Sequence, residues 1–136
     1  MPDLELAHLG YVVADMEAGL RRWVDGGASV VIEPTDDPIQ RVTCALLDSD
    51  GTPIELVAPL DDDSPVRSRL KRGGGLDHIC YFTDSLTDEL EREVANGSIV
   101  VVEPVHAVTF GRDIAFVHRR TGLVVEYMTT YATEPS

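Results

Sequence analysis

Two cysteines, Cys44 and Cys80, are all that the 136 residues contain, and each lies inside an apolar, strand-like run. So few rule out a disulfide framework and point to reduced thiols in a cytoplasmic protein. Long apolar runs are missing as well. The opening stretch MPDLELAHLG has no basic region followed by an apolar one, so neither a signal peptide nor a membrane span is expected. Cations are scarce: 11 Lys and Arg stand against 24 Asp and Glu, a formal net charge of −13. Such a chain repels a nucleic-acid backbone, which excludes nucleic acid as a partner. Aromatic residues make up only 6% of the chain, too few for an aromatic-lined pocket built for sequestration alone.

What is present is a globular composition, 43% hydrophobic and 26% charged. The length suits one domain with one core, and an internal repeat organises it. The segment LAHLGYVVADMEAGLRRWVDGGASVVIEP, starting at Leu6, lies without gaps over LDHICYFTDSLTDELEREVANGSIVVVEP, starting at Leu76, at an offset of 70 residues. At an offset of 71, GTPIEL from Gly51 lies over GLVVEY from Gly122, which pairs Glu55 with Glu126. The reading is a single domain over residues 1–136, with module one at about 4–60, a linker helix at about 61–75 and module two at about 76–131.

Each module reads as βαβββ by periodicity. Strands are expected over Leu6–Ala14, Ser29–Glu33, Val42–Leu47 and Pro53–Ala58, with a helix over Met16–Asp25. Their counterparts are Leu76–Thr83, Ile99–Glu103, Asp113–His118 and Leu123–Thr129, with a helix over Leu86–Ala95. Gly26-Gly27 and Asn96-Gly97 are expected to stop the helices in the left-handed conformation, and Pro34 and Pro104 to end the second strands. Ser64–Lys71 reads as the linker helix, with Ser64 as N-cap and Pro65 at the first helical position. The expected fold class is α+β: two tandem βαβββ modules whose curved mixed sheets surround a metal-containing cavity.

Strand alternation places His8, Gly10 and Val12 on one face and Leu9, Tyr11 and Val13 on the other, with His78, Cys80 and Phe82 equivalent to the first set. If Leu9, Tyr11, Ile79 and Tyr81 meet the helices, His8, Glu55, His78 and Glu126 all point inward. Two ionised glutamates in a partly dry cavity repel each other and lose solvation, and a divalent cation cancels both charges. Imidazole with carboxylate suits zinc, cobalt, nickel, manganese or iron and leaves positions for water or substrate. Arg67, Arg69, Lys71 and Arg72 crowd into six positions and read either as an anion site or as a solvated helix face offsetting Asp61, Asp62 and Asp63.

These motifs, together with PIELVAPL ending at Leu60, DSPVRSRLKRGGGLDHICYF from Asp63, EPVH at Glu103 and IAFVHRRTGLVVEYM from Ile114, carry a resemblance along essentially the whole chain. The sequence resembles the vicinal oxygen chelate superfamily, which includes glyoxalase I, extradiol dioxygenases and antibiotic-resistance proteins, and looks most like the methylmalonyl-CoA epimerases. That resemblance implies one divalent metal held by His8, Glu55, His78 and Glu126, with Glu55 the least secure ligand. It implies a metal-dependent epimerase, working as a homodimer, that takes a proton next to a metal-polarised carbonyl of a methylmalonyl-CoA-like thioester. Glu126 is the expected base. Cys44 occupies the position where some epimerases carry a second, glutamate base, so it is the candidate for the opposite face. The arginine and lysine cluster would then meet the phosphates of the coenzyme A ester. The sequence departs from the pattern at Trp23, at Phe110-Gly111 and at His118-Arg119. A glyoxalase I-like lyase, or a small-molecule-binding protein of the resistance type, is the alternative. An extradiol dioxygenase is disfavoured by a fourth ligand at Glu55.

Overall fold

The computed structural model describes residues 4–135. They fall into two compact units: His8–Asp77, and the residues up to Ala7 together with those from His78 onward. In the first unit β1 (Leu6–Val12), α1 (Met16–Asp25), β2 (Ser29–Asp37), β3 (Val42–Ser49) and β4 (Thr52–Pro59) are followed by the short α2 (Arg67–Lys71). Its strands run in the order β2-β3-β4-β1, antiparallel except for the parallel β1–β4 pair. The second unit repeats the pattern with β5 (Gly75–Thr83), α3 (Leu86–Ala95), β6 (Ile99–Ala107), β7 (Arg112–His118) and β8 (Val124–Thr129). Its order is β5-β8-β7-β6, and β5–β8 is the parallel pair. These are the tandem mixed-sheet βαβββ modules that the repeat implies. Among the described residues no helix is long and apolar enough to cross a membrane.

Local sequence explains both helices. Asp15 caps α1 by accepting from the Glu17 amide at 3.1 Å, and Ser85 caps α3 by accepting from the Asp88 amide at 3.2 Å. Met16, Leu20 and Trp23 recur on one side of α1 and pack on Leu9, Tyr11, Leu47 and Leu56. Gly19 lets the helix come close, since a Cβ there would lie 3.0 Å from the Val13 methyls. In the second unit Leu86 and Leu90 pack on Tyr81, Ala115, Val117, Val125 and Tyr127.

Several boundaries differ from expectation. Pro34 and Pro104 do not end their strands: β2 runs on to Asp37 and β6 to Ala107. Both lie at one end of their unit's strand order, and their registers shift between Ile32 and Thr35 and between Val102 and Val105. A bulge on an outer strand needs no ladder donor from proline, so the strand survives it. Ser64 is not the cap of α2. Residues 64–66 form a turn in which the Arg67 amide donates to the Ser64 carbonyl at 3.2 Å, and the helix starts only at Arg67. Gly27 and Gly97 hold the left-handed conformation after the helices, at φ 109° and 94°, whereas Gly26 and Asn96 do not.

The two helix–sheet seams are chemically unlike. Trp23, Ala28 and Leu56 belong to an apolar cluster in the first unit. The repeat places Glu93, Ser98 and Tyr127 at the same three positions in the second. There the Glu93 carboxylate accepts from Arg119 at 2.9 Å, from Ser98 at 2.7 Å and from the Tyr127 hydroxyl. Burial pushes the Glu93 carboxyl up, but the hydrogen bonds from Arg119, Tyr127 and Ser98 outweigh it and hold the group below its ordinary range. Burial, then the hydrogen bond to Glu93, raises the Tyr127 phenol well above its ordinary value.

Glu93→Gln should therefore cost about 2 kcal/mol at neutral pH, read by urea denaturation. A group depressed in the folded state stabilises above its unfolded value of about 4.3 and loses that contribution as pH falls through the folded value. The variant and the wild type should thus converge in acid. A gap of equal size at pH 3 and pH 7 would show that charge plays no part.

Candidate metal centre

Each unit contributes one buried imidazole–carboxylate pair. In the first, the parallel register of β1 and β4 sets Gly10 beside Glu55, and His8 is two residues earlier on the same face. The His8 Nε2 atom lies 3.3 Å from Glu55 Oε1. In the second, Cys80 stands beside Glu126, and His78 Nε2 lies 3.0 Å from Glu126 Oε1. Gly10 and Cys80 are small, so neither fills the space between histidine and glutamate. The neighbouring strand residues Leu56 and Tyr127 face α1 and α3, so Glu55 and Glu126 face away from the helices. That opposite side is called the inner face below.

All four side chains are buried: His8 at 0%, Glu55 at 5%, His78 at 4% and Glu126 at 3% relative exposure. A buried carboxylate is costly unless a proton or a cation compensates it. Each of the four offers an atom of the kind that ligates a metal ion, one imidazole and one carboxylate per unit. The donor chemistry fits a borderline divalent cation. In the second unit Phe116 sits beside Glu126 in the register and meets the His78 ring edge-on at 5.1 Å. It holds the imidazole plane on one side.

Cys44 lies on β3 opposite Val57, and its parity places it on the face that carries Glu55. It is buried among Val12, Val42 and Val57, with Val66 and Leu70 packed against that group. Cys80 is buried in an apolar cluster with Ile114 and Met128. Of the basic cluster, Arg67 pairs with Asp62 at 3.7 Å, and Arg69 donates to the Gly74 carbonyl at 3.1 Å. Lys71 and Arg72 are exposed. A cleft of about 840 Å³, lined by Tyr11, Arg22, Trp23, Leu70 and Gly73 among others, lies in the first unit. Tyr11 and Trp23 are α1-side residues, so that wall belongs to the side away from His8 and Glu55.

Sequence reading missed Phe116 and Arg112. Both lie on β7 with the parity of Ile114, whose partner is Met128. Alternation from Phe116 would have found Arg112, but the strand was expected to start at Asp113, which left Arg112 in a turn.

Similarities to known proteins bear on the family of this chain. An ethylmalonyl-CoA/methylmalonyl-CoA epimerase of Cereibacter sphaeroides is 29% identical over 126 residues, covering 89% of this chain and 94% of that protein. The solved methylmalonyl-CoA epimerase from Mycobacterium tuberculosis is 25% identical, with a TM-score of 0.77 over 96% of this chain and 87% of that one. A variant of the Streptomyces coelicolor methylmalonyl-CoA epimerase, in complex with 2-nitronate-propionyl-CoA, is 25% identical with a TM-score of 0.79 over 98% of this chain and 100% of that one. Residues 7–116 match the family profile described as the Glyoxalase/Bleomycin resistance protein/Dioxygenase superfamily, and the chain belongs to that superfamily.

Proposed function

We propose that His8, Glu55, His78 and Glu126 together hold one divalent metal ion, and that the protein is an epimerase of a methylmalonyl-CoA-like thioester. The observation that carries the reading is the buried imidazole–carboxylate pair found at repeat-equivalent positions of both units. The similarity to epimerases of methylmalonyl-CoA and ethylmalonyl-CoA over nearly the full chain supports the substrate class. A bound divalent ion would supply Lewis-acid stabilisation of the negative charge that develops on the thioester oxygen.

The chain's own groups would move the proton. Glu126, as carboxylate, takes the α-hydrogen, and inversion then needs a donor on the opposite face. Cys44 is assigned that second role. Its apolar neighbours favour the neutral thiol, which suits a group that must give a proton before it takes one. Delivery leaves a thiolate and a protonated Glu126, and exchange with solvent resets both. Arg67, Arg69, Lys71 and Arg72 are the sequence-based candidates for the ester's phosphates. A homodimer is proposed from the exposed Val31 on β2 and the exposed Ile99 and Val101 on β6, and sedimentation would test it.

Elemental analysis of protein purified without added metal tests the centre, and a single ion per chain is the expected result. Glu55→Gln should weaken binding less than His78→Ala, because an amide oxygen still coordinates. A larger loss at Glu55 would reverse that ranking. Protein that neither carries nor retains a metal after loading and dialysis, and does not act on malonyl-type thioesters, would leave a binding role of the resistance type.

A further inference from the structure

The two inner faces end differently. In the first unit the end remote from His8 is apolar: Val12 and Val42 are buried there, at 1% and 5% exposure, and Val66 and Leu70 pack over them. The repeat places Phe82 and Arg112 at those two positions in the second unit, and both are only partly buried. An arginine thus replaces a buried valine where the equivalent face has an apolar cover.

The Arg112 guanidinium lies over the Phe82 ring, 5.5 Å from its centre, and its Nη1 donates to the Thr129 carbonyl at 2.8 Å. Those two contacts orient the fork without neutralising it. Arg41, Arg67, Arg92 and Arg119 each pair with an aspartate or glutamate, but no such pair is found for Arg112 among the described residues. Arg69, also partly buried and bonded to the Gly74 carbonyl, shares that state, so what sets Arg112 apart is its seat over Phe82 on the face that carries Glu126. Guanidinium, planar and weakly hydrated, is the side chain best suited to phosphate in such a setting.

Position identifies which anion. Arg112 is four residues along β7 from Phe116, the register partner of Glu126, a span on the order of 13 Å at strand rise. That is too far for the carboxylate of a small acyl group held at Glu126. Between them Ile114 and Met128 stand on the same face, enclosed in an apolar cluster at 0% and 1% exposure. An ester with its acyl group at one end, a slim apolar-to-amide arm and an anionic group at the other end has the length to span that distance.

We propose that Arg112, stacked on Phe82, is the residue that binds the phosphate portion of a coenzyme A thioester. This rests on the epimerase reading for the acyl end but not for the anion contact itself, so binding can be measured apart from turnover. The probes are coenzyme A and pantetheine, which share the arm and differ in the phosphates, titrated by calorimetry into the wild-type protein and into Arg112→Gln. Wild type should bind coenzyme A at least about tenfold more tightly than pantetheine, and that advantage should vanish in Arg112→Gln while pantetheine binding holds. Arg112→Lys should recover part of it, because charge returns without the fork.

Equal weakening of both probes in Arg112→Gln would mean that the arginine only braces Thr129, and the proposal would fall. It would fall also if Lys71→Glu with Arg72→Glu removed the coenzyme A advantage and Arg112→Gln did not, since the linker cluster would then hold the phosphates. Loss of the advantage in Arg112→Gln, in a protein without epimerase activity, would uphold the anion site while overturning the reaction.

Discussion

Replacing His78 or Glu126 by alanine should lower metal affinity by about a hundredfold or more, since even outer partners of metal ligands cost ten- to a hundredfold. The measurement is metal content after dialysis against a weak chelator, with circular dichroism to confirm folding. Both residues are buried in a pair 3.0 Å apart, so each truncation leaves the other group enclosed without its neighbour. The fold should nonetheless survive, because neither side chain belongs to the apolar clusters that join helix to sheet. The variants should be less stable than wild type when metal is present and closer to it when metal is removed, because binding to the native state is itself a stabilising term. Full metal content in both variants would eliminate the four-residue centre.

Exchange and inversion should separate in Cys44→Ala. With metal bound, wild-type protein is expected both to exchange the α-hydrogen of a 2-substituted malonyl thioester for solvent deuterium and to invert the centre. Exchange requires one working base, Glu126, whereas inversion requires delivery to the other face. A positioned acid–base group contributes roughly a hundred- to ten-thousandfold, so loss of Cys44 should remove inversion to that extent and leave measurable exchange. Cys44→Glu should keep or improve inversion, because the carboxyl reaches the same face from β3. Nuclear magnetic resonance reads the first process and chiral analysis of the thioester reads the second. If Cys44→Ala inverts as fast as wild type, the thiol is a wall residue, in keeping with its apolar surroundings.

Most of the frame was legible because the chain states it twice. Both long helices were placed at Met16–Asp25 and Leu86–Ala95 by capping residues and apolar spacing, and both were found there. Parity alone separated Leu9, Tyr11, Leu56 and Tyr127, which face the helices, from the residues that face away. What periodicity could not supply was the behaviour of strands with irregular ladders, so β2 and β6 were cut short at their prolines. The turn at residues 64–66 was equally hidden, because Ser-Pro at a helix start reads alike whether or not the hydroxyl caps. Arg112 escaped for a related reason: one residue of strand length decided whether it belonged to a turn or to the face that carries Glu126.

The unlike seams also give the two units different thermal character. Exposing Trp23, Ala28 and Leu56 raises the heat capacity of unfolding, whereas exposing Glu93, Ser98 and Tyr127 adds less, because hydrated polar groups act with the opposite sign. Cooling weakens the association of apolar surfaces. At temperatures near freezing, amide hydrogens of α1 should consequently lose protection before those of α3, so that the half of the molecule holding His8 and Glu55 loosens first in the cold.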